Sequence, residues 1–153
     1  MSEIELTNLT SENEYAEYYY KTYCSKQICT FDGIPITFRK KQFYHAFFES
    51  SKGNKKKDIF SSIRAERIKW IAYTLKESKA ILYQGWLKKK RCYDPFRRVT
   101  LIYGNYVVVI QLRYTKKGIL VGDFITAFVA EDDTISKIKS SPNWIRPIKK
   151  AAD

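Results

Sequence analysis

Apolar positions along the chain change their spacing from helical to alternating, and the changes mark out its elements. Residues 11–23, Ser-Glu-Asn-Glu-Tyr-Ala-Glu-Tyr-Tyr-Tyr-Lys-Thr-Tyr, have helical spacing, and Ser11 with Glu14 fits a capping box. Two β-prone runs, 27–31 and 34–38, flank Asp32-Gly33, a pair that tight hairpins favour. Pro35 has no N–H to donate, which assigns the second arm to a sheet edge. Phe43, Tyr44, Phe47 and Phe48 then repeat at the spacing of a buried helix face, predicting a helix over roughly 40–50. A second helix is expected over about 62–77, with Ile63, Ile68, Ile71 and Leu75 inward. Arg64 and Arg67 are three apart on it and face the same way.

The second half of the chain reads as β. A short strand over 81–84 leads to Gly85-Trp86 and the run Lys88-Lys-Lys-Arg91. Runs 98–103 and 106–113 flank Gly104-Asn105, a two-residue turn. The next run, 119–130, contains Phe124-Ile-Thr-Ala-Phe-Val129, and alternation puts Thr126 on the face of Phe124 and Phe128. A short helix near 133–139 precedes Ser141-Pro-Asn-Trp144. Helices followed by an antiparallel meander predict an α+β domain, its N-terminal helices packed on one face of a roughly four-stranded antiparallel sheet. Residues 1–22 read as an acidic helical segment and 23–153 as a single basic domain, with a basic loop over 51–57.

Composition adds a charge asymmetry. The chain has 153 residues, of which 44% are hydrophobic and 29% charged, enough for one domain with a real core. Its formal net charge is +12. Residues 1–20 hold five glutamates and no Lys or Arg, so the remainder sets 28 basic residues against 11 acidic ones. A body that basic attracts polyanions. The acidic segment either frays into solvent or folds back over the basic face. Cys24, Cys29 and Cys92 lack metal-ligand spacing and read as reduced thiols. No apolar run resembles a signal peptide or reaches the ~18 residues of a membrane span. The expectation is a soluble cytoplasmic protein without membrane contact, or one delivered to the cytoplasm of a target cell.

His45 is the only histidine, set between basic and aromatic residues. Its side chain is the one with an ordinary pKa near neutrality, so it is the candidate general acid or base. At helical spacing it lies on the rim of the buried face, where an idle surface histidine would also sit. Thr126 is either a strand filler or a hydroxyl that binds a scissile phosphate beside Phe128. Arg64 and Arg67 are either a solvated helix face or a phosphate-binding pair. Lys55–Lys57, Lys88, Lys89, Lys90, Arg91, Arg97 and Arg98 are charge runs that suit backbone binding without sequence specificity. Tyr83, Tyr103 and Trp86 are candidate base-stacking rings. The sequence shows no carboxylate pairs at metal-ligand spacing, no P-loop and no dinucleotide motif, so no metal or cofactor is expected. One histidine among many cations favours cleavage of RNA by its own 2′-OH.

His45, then Arg64-Ala-Glu-Arg67-Ile-Lys-Trp70, Leu82-Tyr-Gln-Gly-Trp86, Val107-Val-Val-Ile and Phe124-Ile-Thr-Ala-Phe128 occur in a recognisable order. Over about residues 33–145 the chain resembles the phage and toxin branch of the barnase–EndoU–colicin E5/D–RelE-like (BECR) nucleases. The resemblance implies N-terminal helices on a four-stranded antiparallel sheet and a metal-independent endoribonuclease, often a toxin of phage or mobile-element origin that cuts tRNA or ribosome-bound mRNA. It implies a site made of a helix histidine, a basic residue and a strand Ser or Thr followed two residues on by an aromatic. These fall on His45, on Arg64 or Arg67, and on Thr126 with Phe128; Lys41 would be a second cation. A toxin further implies an acidic immunity or antitoxin partner. Two other readings stay open: a non-catalytic nucleic-acid-binding module, and a module that binds an acidic protein.

Overall fold

A computed structural model describes residues 4–50 and 57–146. The first helix, α1 (Glu12–Tyr19), starts at Ser11, whose hydroxyl accepts from the Glu14 N–H at 3.2 Å. The return half of the capping box is displaced by one residue. The Glu14 carboxylate accepts from the Thr10 N–H and hydroxyl at 3.0 and 2.7 Å, which holds its carboxyl below the ordinary value. A π-helical stretch, Tyr20–Cys24, follows, and Tyr15, Tyr19 and Tyr23 all enter the main core.

β1 (Ile28–Cys29) and β2 (Pro35–Thr37) form the expected hairpin, with Gly33 at a φ of 89° in its turn. Here β1 is the edge. β2 is internal, because Ile36 and Thr37 also pair in parallel with Gly122 and Asp123. Pro35 is tolerated as the first residue of β2, outside that parallel register.

α2 (Gln42–Phe47) is shorter than its apolar spacing predicts. The chain leaves it as β3 (Phe48–Glu49), which pairs with β4 (Ile59–Phe60). The expected second helix is two: α3 (Ser62–Ala65) and α4 (Ile68–Lys76). Ser61 caps α3, and Arg67, at φ −98° and ψ 19°, leaves the helical region. Ile68, Ile71 and Leu75 face inward as expected, but Ile63 on α3 is 60% exposed. The acidic N-terminal segment is docked, not frayed, where it is described. The Thr7 N–H donates to the Glu66 carbonyl at 2.7 Å, and the Trp70 indole donates to the Glu5 carbonyl at 3.3 Å.

β5 (Ile81–Tyr83) precedes a separate hairpin of β6 (Gly85–Leu87) and β7 (Cys92–Asp94). β8 (Val99–Tyr103) and β9 (Tyr106–Tyr114) meet through Gly104, at a φ of 65°, and Asn105. β10 (Leu120–Val129) completes a six-stranded sheet in the order β1-β2-β10-β9-β8-β5. The fold is α+β, but the sheet is mixed rather than four-stranded and antiparallel. The acidic pair Asp132-Asp133 opens α5 (Asp132–Lys139), at the end of a helix that favours negative charge.

Helices pack on both faces of the sheet, and α5 leaves part of the second face open. On one, Leu101, Val108, Ile110, Phe124 and Ala127 join α1, α2 and α4 in the main core. On the other, Ile102, Val107 and Val109 meet Phe128 and two residues of α5, Ile135 and Ile138. A β-bulge at Ile125 separates the two sets on β10, since Phe124 opposes Ile110 while Thr126 opposes Val109. Thr126 therefore shares its face with Phe128 and not with Phe124, against strict alternation. The Gln42 side chain pins the bulge, its amide nitrogen 3.1 Å from the Phe124 carbonyl and 3.3 Å from that of Ile125. Among the described residues no helix is long and apolar enough to cross a membrane.

Gln42→Ala removes both donations to the bulge. The expected loss is about 1–2 kcal/mol of unfolding free energy. Urea denaturation would show it as a lower midpoint at unchanged slope.

Candidate active site

Phe43, Ala46 and Phe47 bury one side of α2, and that fixes its rotation so that Tyr44 and His45 face outward in its last turn. Partial burial pushes the His45 pKa below 6.5, and the positive charges of Lys57, Arg64 and Arg98 push it the same way. His45 is thus a neutral imidazole at neutral pH, the form that accepts a proton.

Arg64 comes from α3 and is held from three sides. Its Nη1 donates to the Ala46 carbonyl at 3.3 Å, one of the carbonyls a helix end leaves free. Its Nε lies 3.3 Å from a Glu49 carboxylate oxygen, and its guanidinium carbon lies 5.6 Å from the Phe128 ring centroid. An ion pair this close to solvent contributes at most about 1 kcal/mol, so all three contacts together set the geometry.

Arg98 enters from the turn before β8 with a φ of 53°, uncommon for a residue with a side chain. Two local features hold it there. An Asp94 carboxylate oxygen accepts from the Phe96 and Arg97 N–H groups at 2.7 and 2.8 Å. Gly85 lets this segment pack against β6, since a Cβ at Gly85 would lie 2.1 Å from the Arg97 carbonyl oxygen. Arg98, Thr100, Val109 and Phe128 line a cleft of about 240 Å³ on the open sheet face, beside Thr134 and Lys137 of α5. Thr126 lies on the same face, opposite Val109. It is 9% exposed, and its buried hydroxyl has no hydrogen-bond partner. Buried hydroxyls are normally paired.

The structure thus groups His45, Arg64, Arg98 and Phe128, and puts Thr126 on the same sheet face. It separates Arg67 from Arg64. Arg67 donates to Glu66 and to the Ile63 carbonyl at 2.8 Å, and stacks 5.0 Å from the Trp70 ring centroid. The break between α3 and α4 is the reason. Lys41 is exposed before α2 and is not among the charges acting on His45. Tyr83 is 6% exposed and packed in the second core, which leaves its ring no open face for a base. Tyr103 pairs with Tyr73, ring centroids 5.6 Å apart. Trp86, Lys88, Lys89, Lys90 and Arg91 are exposed on the β6–β7 hairpin. Of the basic loop over 51–57, only Lys57 lies within the described residues.

Lys57 comes to the cluster from the basic run over 55–57, whereas Glu49 joins it without any motif to announce it. Glu49 is the one acid between Arg39 and Lys57, and that isolation is its only signal in the sequence. Among the described residues no group of three or more His, Cys, Asp or Glu side chains is placed to hold a metal ion. No family model matches this chain, and neither does any curated protein or solved structure.

A titration of the His45 ring followed by NMR should give a midpoint below 6.5. Arg98→Ala should move it upward but only part of the way, because burial is the larger cause. An unmoved midpoint in Arg98→Ala would separate Arg98 from the cluster.

Proposed function

We propose that this protein is a metal-independent endoribonuclease of toxin type, acting on RNA and first of all on tRNA. The observation that carries the reading is an outward-facing histidine whose pKa is lowered first by partial burial and then by the charges of Lys57, Arg64 and Arg98. Three cations with one paired carboxylate nearby make a strong site for a phosphodiester. An imidazole kept neutral beside them is placed to remove a proton.

In this mechanism His45 takes the proton of a ribose 2′-OH. The 2′ oxygen attacks the adjacent phosphorus, the bond from phosphorus to the 5′ oxygen breaks, and a 2′,3′-cyclic phosphate and a 5′-OH result. The departing 5′ oxygen takes up a proton from the imidazolium or from solvent. Arg64, Arg98 and Lys57 offset the charge that builds on the phosphorane. DNA has no 2′-OH and is not a substrate. A toxin of this charge would be neutralised by an acidic partner covering the cleft.

The test is incubation of the purified protein with total tRNA in EDTA. Discrete fragments ending in 2′,3′-cyclic phosphate are expected, and His45→Ala should slow their formation by about a hundredfold or more. The rate should rise with pH to a plateau, with a midpoint below 6.5, because the depressed pKa makes the basic form available there. Intact tRNA and intact ribosome-bound mRNA would leave the non-catalytic nucleic-acid-binding module, which gives His45 no role.

A further inference from the structure

A second groove borders the cleft beside Phe128. It spans about 510 Å³ and is lined by Trp86, Leu87, Lys88, Lys89, Lys90, Arg97 and Arg98. Five of these side chains are cations, and none is an acid. Trp86 is 45% exposed there, and its cross-strand partner Tyr93 braces it edge-on with ring centroids 5.0 Å apart. The exposed indole is thus held in place before any ligand arrives. Arg98 and Trp86 also line the cleft beside Phe128, so groove and cleft share a border.

We infer that this hairpin groove is a subsite for single-stranded RNA, in which one unpaired base stacks on Trp86 while Lys88, Lys89, Lys90 and Arg97 track the flanking phosphates. A row of cations alone would suit any polyanion. A braced, exposed indole among them favours a polyanion that repeats an unpaired flat ring beside each charge, as a single strand does and as a duplex, which keeps its bases stacked inside, does not. Arg98 hands the strand from the groove to the cluster around His45. The inference rests on the ribonuclease reading only for that direction. The subsite makes the substrate a loop or tail of several unpaired nucleotides, with affinity gathered away from the scissile bond.

The test uses the intact chain and a 2′-O-methyl RNA single strand of about ten nucleotides, which cannot be cut and is long enough to cross both sites. Trp86→Ala should weaken binding about ten- to a hundredfold, and Trp86→Tyr should restore most of it. Replacing Lys88, Lys89 and Lys90 together by Gln should reduce the slope of log affinity against log salt by about 2. A duplex of the same sequence should bind more weakly than the single strand. Circular dichroism and the melting temperature confirm that each variant folds. Unchanged affinity in Trp86→Ala, or a duplex bound as tightly as the single strand, would overturn the inference. So would polyglutamate that binds as well as the RNA and ignores Trp86, which would assign the groove to an acidic protein. Because the strand is uncleavable, these outcomes are independent of His45; loss or retention of cleavage in His45→Ala decides the ribonuclease reading separately.

Discussion

β10 carries one more residue through its bulge than the facing stretch of β9 can pair, and the organisation of both sheet faces depends on that mismatch. Before Ile125 the strand sends Phe124 into an aromatic core, stacked 4.8 Å from Phe38 and near Tyr19. After it, Thr126 and Phe128 turn to the open face. Without the extra residue, Phe124 and Phe128 would compete for one side, and either the core or the cleft would lose its ring. Bulges disturb the ladder, and the freed carbonyls need donors. Gln42 supplies them from α2. One side chain thus couples the helix that bears His45 to the strand that bears Thr126.

The cluster around His45 is assembled by chain ends and breaks. α2 stops at Phe47 because the chain turns into a strand, and its free Ala46 carbonyl receives Arg64. α3 stops at Ala65, which points Arg64 toward α2 and Arg67 toward Trp70. Arg98 stands in a left-handed turn that Gly85 and Asp94 support. Repulsion among Lys57, Arg64 and Arg98 costs folding free energy, and Glu49 offsets only part of it. The same cations add to the effect of burial in lowering the His45 pKa.

The charged triad at the other end of the open face behaves differently. Asp123 is buried between Arg39 at 3.6 Å and Arg113 at 3.3 Å. There both cations meet one carboxylate, and the group reads as a clasp that ties the segment after β2 to β10 and β9. The contrast distinguishes charge that is paired within the sheet from charge that Glu49 offsets only in part.

Periodicity and local chemistry were enough to locate most elements in the sequence. The Asp32-Gly33 and Gly104-Asn105 turns, the inward stripe of Ile68, Ile71 and Leu75, and the outward placement of His45 all follow from spacing within a few residues. The basic, aromatic character of residues 86–91 was legible too, because Trp86 and Lys88–Arg91 are close in the chain; that they form a hairpin with Cys92–Asp94 was not. The rest depended on contacts between distant residues. The parallel β2–β10 pair made β2 internal despite Pro35, since pairing partners far apart in sequence leave no local mark. The bulge at Ile125 reversed the faces of β10, because a strand takes its phase from its neighbours as well as from its own alternation. The break at Arg67 split two arginines that helical spacing places together. Tyr83 was lost to the core because burial is a property of the packed sheet and not of a tyrosine. What brings Lys57, Arg64 and Arg98 to His45 is therefore tertiary: each comes from a different segment, and only the packed fold brings their charges to bear on one imidazole.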